Sequence, residues 1–367
     1  MFVPRLRAAD FRNIAFADLE FGDARRVFFV GANGQGKTNL LEALSLLAAM
    51  RSFRARDARA LVKIGAKRAG VFFEIAHEKE GATELTLALF ANGAKTVDLG
   101  AGTPVRRLSE FVGRFPVVVF ASDDILLLRG SPSGRRRRFD LMLSSVDSAY
   151  FHALQNYHRA LDSRNRLLKI AGTTDAQLEA FEKILAENGA VLTATRERET
   201  AHIATLFAAA NAQISQNADE APALVYEASA NVPAAANPAE TADAWREFFR
   251  RSRAADRLLG ATQKGPHRDD FRFKLCGRDA ENFASDGQQR GLTLALGLAQ
   301  LALFRERLGV APIVLADDVL GELDAARKAG FWRAVGRDVQ LFATGTLPPD
   351  DAETWKIFTV ENGTFRL

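Results

Sequence analysis

The sequence predicts an α/β domain built from both ends of the chain and interrupted by a mostly helical insertion. Three observations carry this. The N-terminal stretch alternates as strands do, then passes through a glycine-rich turn into an apolar helix. From about residue 133 helical spacing takes over. The C-terminal part returns to helices alternating with short apolar strands. On this reading residues 1–145 and 262–367 form one discontinuous domain and 146–261 the inserted lobe, sizes that 367 residues accommodate.

The elements follow in order. RLRAADF, FADLEF and RVFFV read as strands, and TNLLEALSLLAAM as a helix apolar enough to be buried. Residues 71–99 read as further strands, with a hairpin turn at Asn92 and Gly93. FPVVVF, at 115–120, is a continuous apolar run that fits a strand covered on both faces. Helical spacing then runs through RRRRFDLMLSSV and on to HIATLFAAA. A strand (APALVYE), an Ala/Pro/Asn-rich loop and a helix (AWREFFRRSRAADRLLG) close the insertion. Strands resume at DFRFKLCGRDAENF, followed by a helix at 288–308, the strand APIVLA, a helix after GELD, the strand VQLFAT and a last hairpin, WKIFTVENGTFRL.

Composition excludes several classes. Hydrophobic and charged fractions of 47% and 26% are those of a globular chain. A net charge of +4 with a pI near 9.3 leans toward an anionic partner. With Cys276 as the single cysteine, no internal disulfide forms, which suits a reducing cytosol. The N-terminus meets charge within five residues, so no secretory signal is expected, and no run of 18 apolar residues offers a membrane span.

GANGQGKT fits the phosphate-binding pattern G-x-x-x-x-G-K-[ST] at Gly31, Gly36, Lys37 and Thr38, with a strand before it and a helix after. Gly31, Gly34 and Gly36 let successive N–H groups turn inward toward phosphate oxygens, and the helix N-terminus adds partial positive charge. Lys37 is expected to reach the β- and γ-phosphates and Thr38 to ligate Mg²⁺. Ala32, Asn33, Gln35 and Asn39 complete the expected nucleotide-lining set. Downstream, PIVLADDVLGELD puts Asp317 at the end of an apolar strand, where a carboxylate can hold Mg²⁺ opposite Thr38. Asp318 follows on the other side of the strand end, and two adjacent carboxylates there invite a cation or water.

SDGQQRG, residues 285–291, is a second polar turn opening into an apolar helix. Ser285 and Gly287 can present a hydroxyl and backbone N–H groups to an anion, or Ser285 can simply cap the helix. One triphosphate hardly needs two such sites from one chain. Two chains facing head to tail would each lend this turn to the other's nucleotide.

The order of P-loop, S-x-G-Q-type turn, acidic strand and E-L-D resembles that of ATP-binding-cassette (ABC) ATPases. FRN, GQGKTNLLEA, RSFR, GSPSGRRRRFD, GPHRDD, GQQR and DDVLGELD, from residue 11 to 324, are similar to one branch, the RecF recombination-mediator family. The resemblance implies an ABC-type P-loop ATPase head of the Rad50/SMC kind with a short helical lobe. It implies a slow, DNA-dependent ATPase that forms an ATP-dependent homodimer on duplex DNA near single-strand gap junctions. With RecR and RecO it would promote RecA loading in gap repair and the SOS response, in the cytoplasm and away from membranes. It also implies roles. Lys37, Asp317 and Asp318 serve catalysis, Asp318 orienting the attacking water. Arg12 and Asn13 line the nucleotide, while Ser285, Gly287 and Gln288 meet the partner copy's γ-phosphate. Asp324 belongs to the cross-dimer loop and Thr344 to the switch segment.

The chain departs from the family pattern at three places. Asp286 stands where Gln is common, adding negative charge beside an expected phosphate contact. Gly345 interrupts a threonine run, leaving Thr344 and Thr346 as alternative switch residues. Asp318 replaces the usual Glu of cassette ATPases and has a shorter reach.

Arginines supply a possible DNA surface: Arg51, Arg54, Arg56 and Arg59 beyond the P-loop helix, Arg135 to Arg138 in one run, and Arg159, Arg164 and Arg166 on the insertion. Of these, Arg51, Arg54, Arg56, Arg136 and Arg137 are the expected contacts. His267 reads as a turn residue and Cys276 as a buried hairpin residue. A transporter subunit and a P-loop kinase for a small molecule are the alternative functions. The first needs a membrane-coupling surface, and the second has no use for the Ser285 turn.

Overall fold

The computed structural model describes residues 1–55, 57–100, 102–215, 220–232, 237–319, 325–349 and 352–367. The chain forms two compact units, one of Met1–Asp124, Ala210–Asn217 and Leu294–Leu367, the other of Ile125–Ala209 and Ala218–Thr293. The second unit therefore takes in residues 125–145 and 262–293 as well as the helical insertion, apart from 210–217, which belongs to the first unit.

The first unit opens with β1 (Phe2–Phe11), β2 (Ile14–Glu20), β3 (Arg26–Val30) and α1 (Lys37–Ala49). It continues through β4 (Arg68–His77), β5 (Gly81–Phe90), β6 (Lys95–Leu99), β7 (Thr103–Pro104) and β8 (Val117–Ala121). The chain then runs through α2 (Leu126–Arg129), α3 (Pro132–Val146), α4 (Ser148–Leu167) and the 40-residue α5 (Asp175–Ile214). Next come β9 (Pro222–Glu227), α6 (Pro238–Leu259), β10 (Asp270–Leu275), β11 (Arg278–Asp279), α7 (Ala280–Phe283) and α8 (Asp286–Leu308). β12 (Ile313–Asp317), α9 (Ala325–Val335), β13 (Leu341–Gly345), β14 (Lys356–Glu361) and β15 (Thr364–Arg366) complete the first unit.

Two six-stranded sheets build that unit. One is antiparallel, ordered β2-β1-β4-β5-β6-β7, and its strands alternate buried and exposed residues. The hairpin between β5 and β6 turns at Asn92 and Gly93, where Gly93 takes φ 90. The other sheet runs β15-β14-β3-β13-β12-β8, and its strands from β14 to β8 are all parallel. β12 and β13 are buried along their whole length, as strands covered on both faces must be, which is why they read as mainly apolar runs that turn polar only at their ends, Asp317 and Thr344. Their core continues into Phe21, Phe29, Phe342 and Phe358, packed ring against ring. On α8, a Cβ at Gly297 would come within 2.3 Å of the Phe120 ring, so only glycine lets that helix lie against β8.

The second unit holds the three-stranded sheet β11-β10-β9 and most of the helices. α6 begins at Pro238, ahead of the AWREFF start expected from sequence, because the Asn237 side chain accepts from Ala239 N and proline suits the first turn; Gly260 ends the helix, as expected, at φ 63. Arg164, on α4, is fully buried and donates to Glu182 on α5 and Asp256 on α6. It thus ties three helices together and corrects the expectation of a phosphate-facing arginine. Two smaller corrections concern this unit. Cys276 is exposed, because it sits in the turn itself at φ 49. Residues after β11 turn into the short helix α7, capped by Asp279, where the sequence suggested continued strand. Among the described residues no helix is long and apolar enough to cross a membrane.

Candidate nucleotide site

Parallel pairing brings three loop ends to one edge of the β3-β13-β12 sheet. The register sets Val30 opposite Gly345 and Asp317 opposite Thr344, so the P-loop, the acidic strand end and the end of β13 meet there. Open α/β sheets present ligand sites at this carboxyl edge because helices leaving the strands there turn their N-termini, with unpaired N–H groups, toward it.

Glycine is required twice in the loop. Gly36 takes φ 113 and would press a Cβ onto the Asn13 amide at 2.9 Å. Gly31 passes so close to β14 that a Cβ would meet the Val360 carbonyl at 2.4 Å. The Lys37 ammonium donates to the loop's own carbonyls, Gly31 O at 2.5 Å and Ala32 O at 2.8 Å. Burial lowers its pKa, while the fields of Asp318 and Asp317 oppose that shift.

The Thr38 hydroxyl donates to Asp317 Oδ1 at 2.9 Å, joining the first turn of α1 to the end of β12. Thr344 Oγ1 donates to the same oxygen at 3.0 Å and accepts from Asp318 N at 3.0 Å. Of the two threonines flanking Gly345, Thr344 therefore faces the carboxylates, while Thr346 lies exposed beyond the strand. Burial raises the Asp317 pKa, with the Thr38 and Thr344 bonds and the field of Arg54 working the other way. Asp318 is exposed and holds φ 54, a left-handed conformation uncommon outside glycine, and its field reaches both Lys37 and Asp317.

Asn13 joins the loop from the β1–β2 turn. Its Nδ2 donates to Gln35 O at 3.3 Å, and its Oδ1 accepts from Asn39 Nδ2 at 2.8 Å. Arg12, at φ 54, turns instead onto Glu42 of α1. A contact the sequence did not announce is the C-terminal hairpin, whose Asn362 and Gly363 amides donate to Gln35 Oε1 and O at 2.7 and 2.8 Å. The ENGT turn was legible as a turn, but not its address.

Ser285, Gly287 and Gln288 lie in the second unit, at the start of α8. Gln288 N donates to Ser285 Oγ at 3.3 Å and Ser285 N to Gln288 Oε1 at 2.9 Å, a reciprocal capping box. Asp286 pairs with Arg129, whose Nε also donates to Gln289. Asp324 lies outside the described residues, as does Arg56.

The arginine run divides by depth. Arg135 is buried in a bidentate pair with Asp270. Arg136 is half-buried, its Nη1 donating to Asp269 O at 2.6 Å, and Arg137 is exposed. Arg51 and Arg54 are exposed, while Arg59 pairs with Asp57. In GPHRDD, His267 lies between Tyr157 Oη at 2.9 Å and Thr262 O at 3.1 Å. Asp269 accepts from the fully buried Arg196 and from Ser229 N. This motif is thus a structural knot of the second unit.

A P-loop and an acidic strand end meeting at one edge of a parallel sheet, with a capped S-x-G-Q turn farther along the chain, define an ABC-type ATPase head. No model of a protein family matches the chain. Curated relatives do. DNA replication and repair protein RecF of Symbiobacterium thermophilum is 35% identical over 94% of this chain and 92% of its own. The RecF proteins of Geobacillus kaustophilus (34%; 94% and 93%) and Bacillus subtilis (33%; 99% of both) agree. A solved structure described as the recombination mediator protein RecF-ATP in the RecFOR pathway superposes with a TM-score of 0.91 at 30% identity, covering 100% of this chain and 98% of that one. An Smc head bound to the C-winged helix domain of ScpA, 16% identical with a TM-score of 0.55, shares the fold. The chain belongs to the RecF family of DNA replication and repair proteins. The transporter and kinase alternatives are not favoured.

Proposed function

We propose that this chain binds ATP and Mg²⁺ at the Gly31–Asn39 loop, closes into a homodimer on ATP, and in that state holds duplex DNA near single-strand gap junctions. The hydrogen bond from Thr38 to Asp317 carries the reading, because it links a phosphate loop to a buried carboxylate that burial makes costly to charge. Such a carboxylate suits a cation, and Thr38 and Asp317 are the residues that would hold Mg²⁺. When bound, the metal would neutralise charge on the β- and γ-phosphates.

The chain's own groups do the rest. Lys37, held by two carbonyls in this structure, exchanges them for phosphate oxygens. Asp318, exposed at the strand end, accepts a hydrogen bond from the attacking water, and its short side chain makes turnover slow. Ser285, Gly287 and Gln288 of one copy, with Asp324, meet the γ-phosphate on the other. Thr344 senses that phosphate through Asp317. In this reading residues 1–145 and 262–367 act as the ATPase and 146–261 as its helical lobe. Arg51, Arg54, Arg56, Arg136 and Arg137 approach DNA phosphates, Arg136 with only part of its guanidinium. RecR, RecO and the RecA pathway are the partners in the cytoplasm.

Sizing the protein with ATP and with ADP, each with and without gapped DNA, tests this. A dimer with ATP alone, strengthened by DNA and lost in Lys37→Ala, is the expected result. A monomer under every condition overturns it.

A further inference from the structure

Glu42 is a carboxylate with no exposed surface, one turn into the P-loop helix from Thr38, and the nucleotide reading gives it no task. It accepts from Arg12 Nε and Nη2, both at 2.8 Å, and from Ser52 Oγ. Ser52 in turn accepts from two backbone amides, Arg54 N at 2.9 Å and Ala55 N at 2.7 Å. Its single O–H and both lone pairs are thus committed, a use that alanine cannot reproduce and threonine can.

These bonds form a chain with two functional ends. At one end, Arg12 is the neighbour of Asn13, whose amide packs on Gly36 and bonds Gln35 O and Asn39. At the other, the two capped amides fix the backbone of the turn that carries Arg54, an exposed arginine whose field reaches Asp317. Among the described residues Glu42 is the group that joins Arg12 to Ser52 through these bonds, and its burial leaves little room for water as a substitute partner.

We propose that Glu42, acting through Ser52, is a positioning residue that conveys the state of Arg12 beside the nucleotide loop to the basic turn 52–55. The link rests on the ATP-binding reading. It makes the conformation of the turn depend on nucleotide, and by reciprocity makes nucleotide affinity depend on the turn.

Amide hydrogen exchange of the full chain, with and without Mg²⁺ and adenylyl-imidodiphosphate, tests the link. In the wild type the nucleotide protects the P-loop amides and changes exchange at Arg54 and Ala55 by at least about threefold. In Glu42→Gln, whose amide meets donors with a donor, P-loop protection remains and the response at Arg54 and Ala55 disappears. Ser52→Ala, at a half-buried loop position, weakens nucleotide binding about threefold or more, while Ser52→Thr stays near wild type. A side chain that only stabilised the turn would lower the melting temperature without moving that affinity. P-loop protection with no change at Arg54 and Ala55, a response that survives Glu42→Gln, or wild-type affinity in Ser52→Ala each overturns the proposal. Absence of P-loop protection in the wild type is a separate result, and it overturns the ATP reading and the link together.

Discussion

Asp317 is held at a buried strand end by two hydroxyl donors, and burial still lifts its pKa above the ordinary carboxylate value. For an acid with a raised folded pKa, the native state holds its proton longer than the unfolded chain does. The associated stability is full below the unfolded pKa and lost as pH rises through the folded one, so at pH 7 the cost is in force. Asp317→Asn keeps an acceptor for Thr38 and Thr344 and removes that cost. Its melting temperature at pH 7, without nucleotide, is expected about 2 °C above wild type, while ATP turnover falls to background. A lower melting temperature would mean the charge is better satisfied than its surroundings indicate. The place of Asp317 at a buried strand end was legible because an apolar run leading into two carboxylates marks where a strand stops. The pairing of Arg12 with Glu42 was not, since nothing in FRN or LLEA says that one faces the other.

Helix starts and turns show how an element's local chemistry can serve two ends. The N-terminus of α8 is a complete capping box, so Ser285 and Gln288 satisfy their own helix before any phosphate arrives. Asp286 sits favourably in the first turn and pairs with Arg129, at 80% and 39% side-chain exposure. An exposed pair of this kind contributes at most about 1 kcal/mol. Asp286→Gln should therefore leave the melting temperature nearly unchanged and strengthen ATP-dependent dimerisation several-fold, read by sedimentation across a concentration series. Equal dimerisation in both proteins would remove Asp286 from the phosphate's surroundings.

The Pro266–Arg268 turn behaves differently. Burial pushes His267 down to about 4, so its neutral ring accepts from Tyr157 and donates to Thr262 O. Between the ordinary value and that one, the unfolded chain binds a proton the native state refuses, and stability is lost as pH falls. Arg268, His158 and Arg136 add repulsion. From pH 7 to pH 5 the wild type should lose about 2 kcal/mol more than His267→Gln in urea unfolding of the second unit. Parallel losses in the two proteins would show that His267 titrates normally. Sequence marked GPHRDD as a turn; its partners come from α3, α4, α5 and, through Tyr226, β9, and no spacing rule reaches that far.

At the scale of the molecule, most elements were legible because each strand or helix carries its own period and end signals. The sheets' order was not, since β3 pairs with β13 and β14 more than 300 residues later. The proposed sharing of one nucleotide between two copies is tested at this scale. If each nucleotide lies between the P-loop of one copy and the Ser285 turn of another, two crippled chains can rescue one another. A dimer of one Lys37→Ala chain with one Ser285→Arg chain gathers both lesions in one site and leaves the other intact. Random pairing of equal amounts makes about half the dimers mixed, each with one good site of two, so turnover should recover to about a quarter of wild type. Each variant alone should show background turnover. Recovery should rise with the square of protein concentration below the dimerisation constant, because the intact site exists only in the pair. A mixture no more active than its components, under conditions where wild type dimerises, would place both turns on the same copy or require two intact sites for turnover.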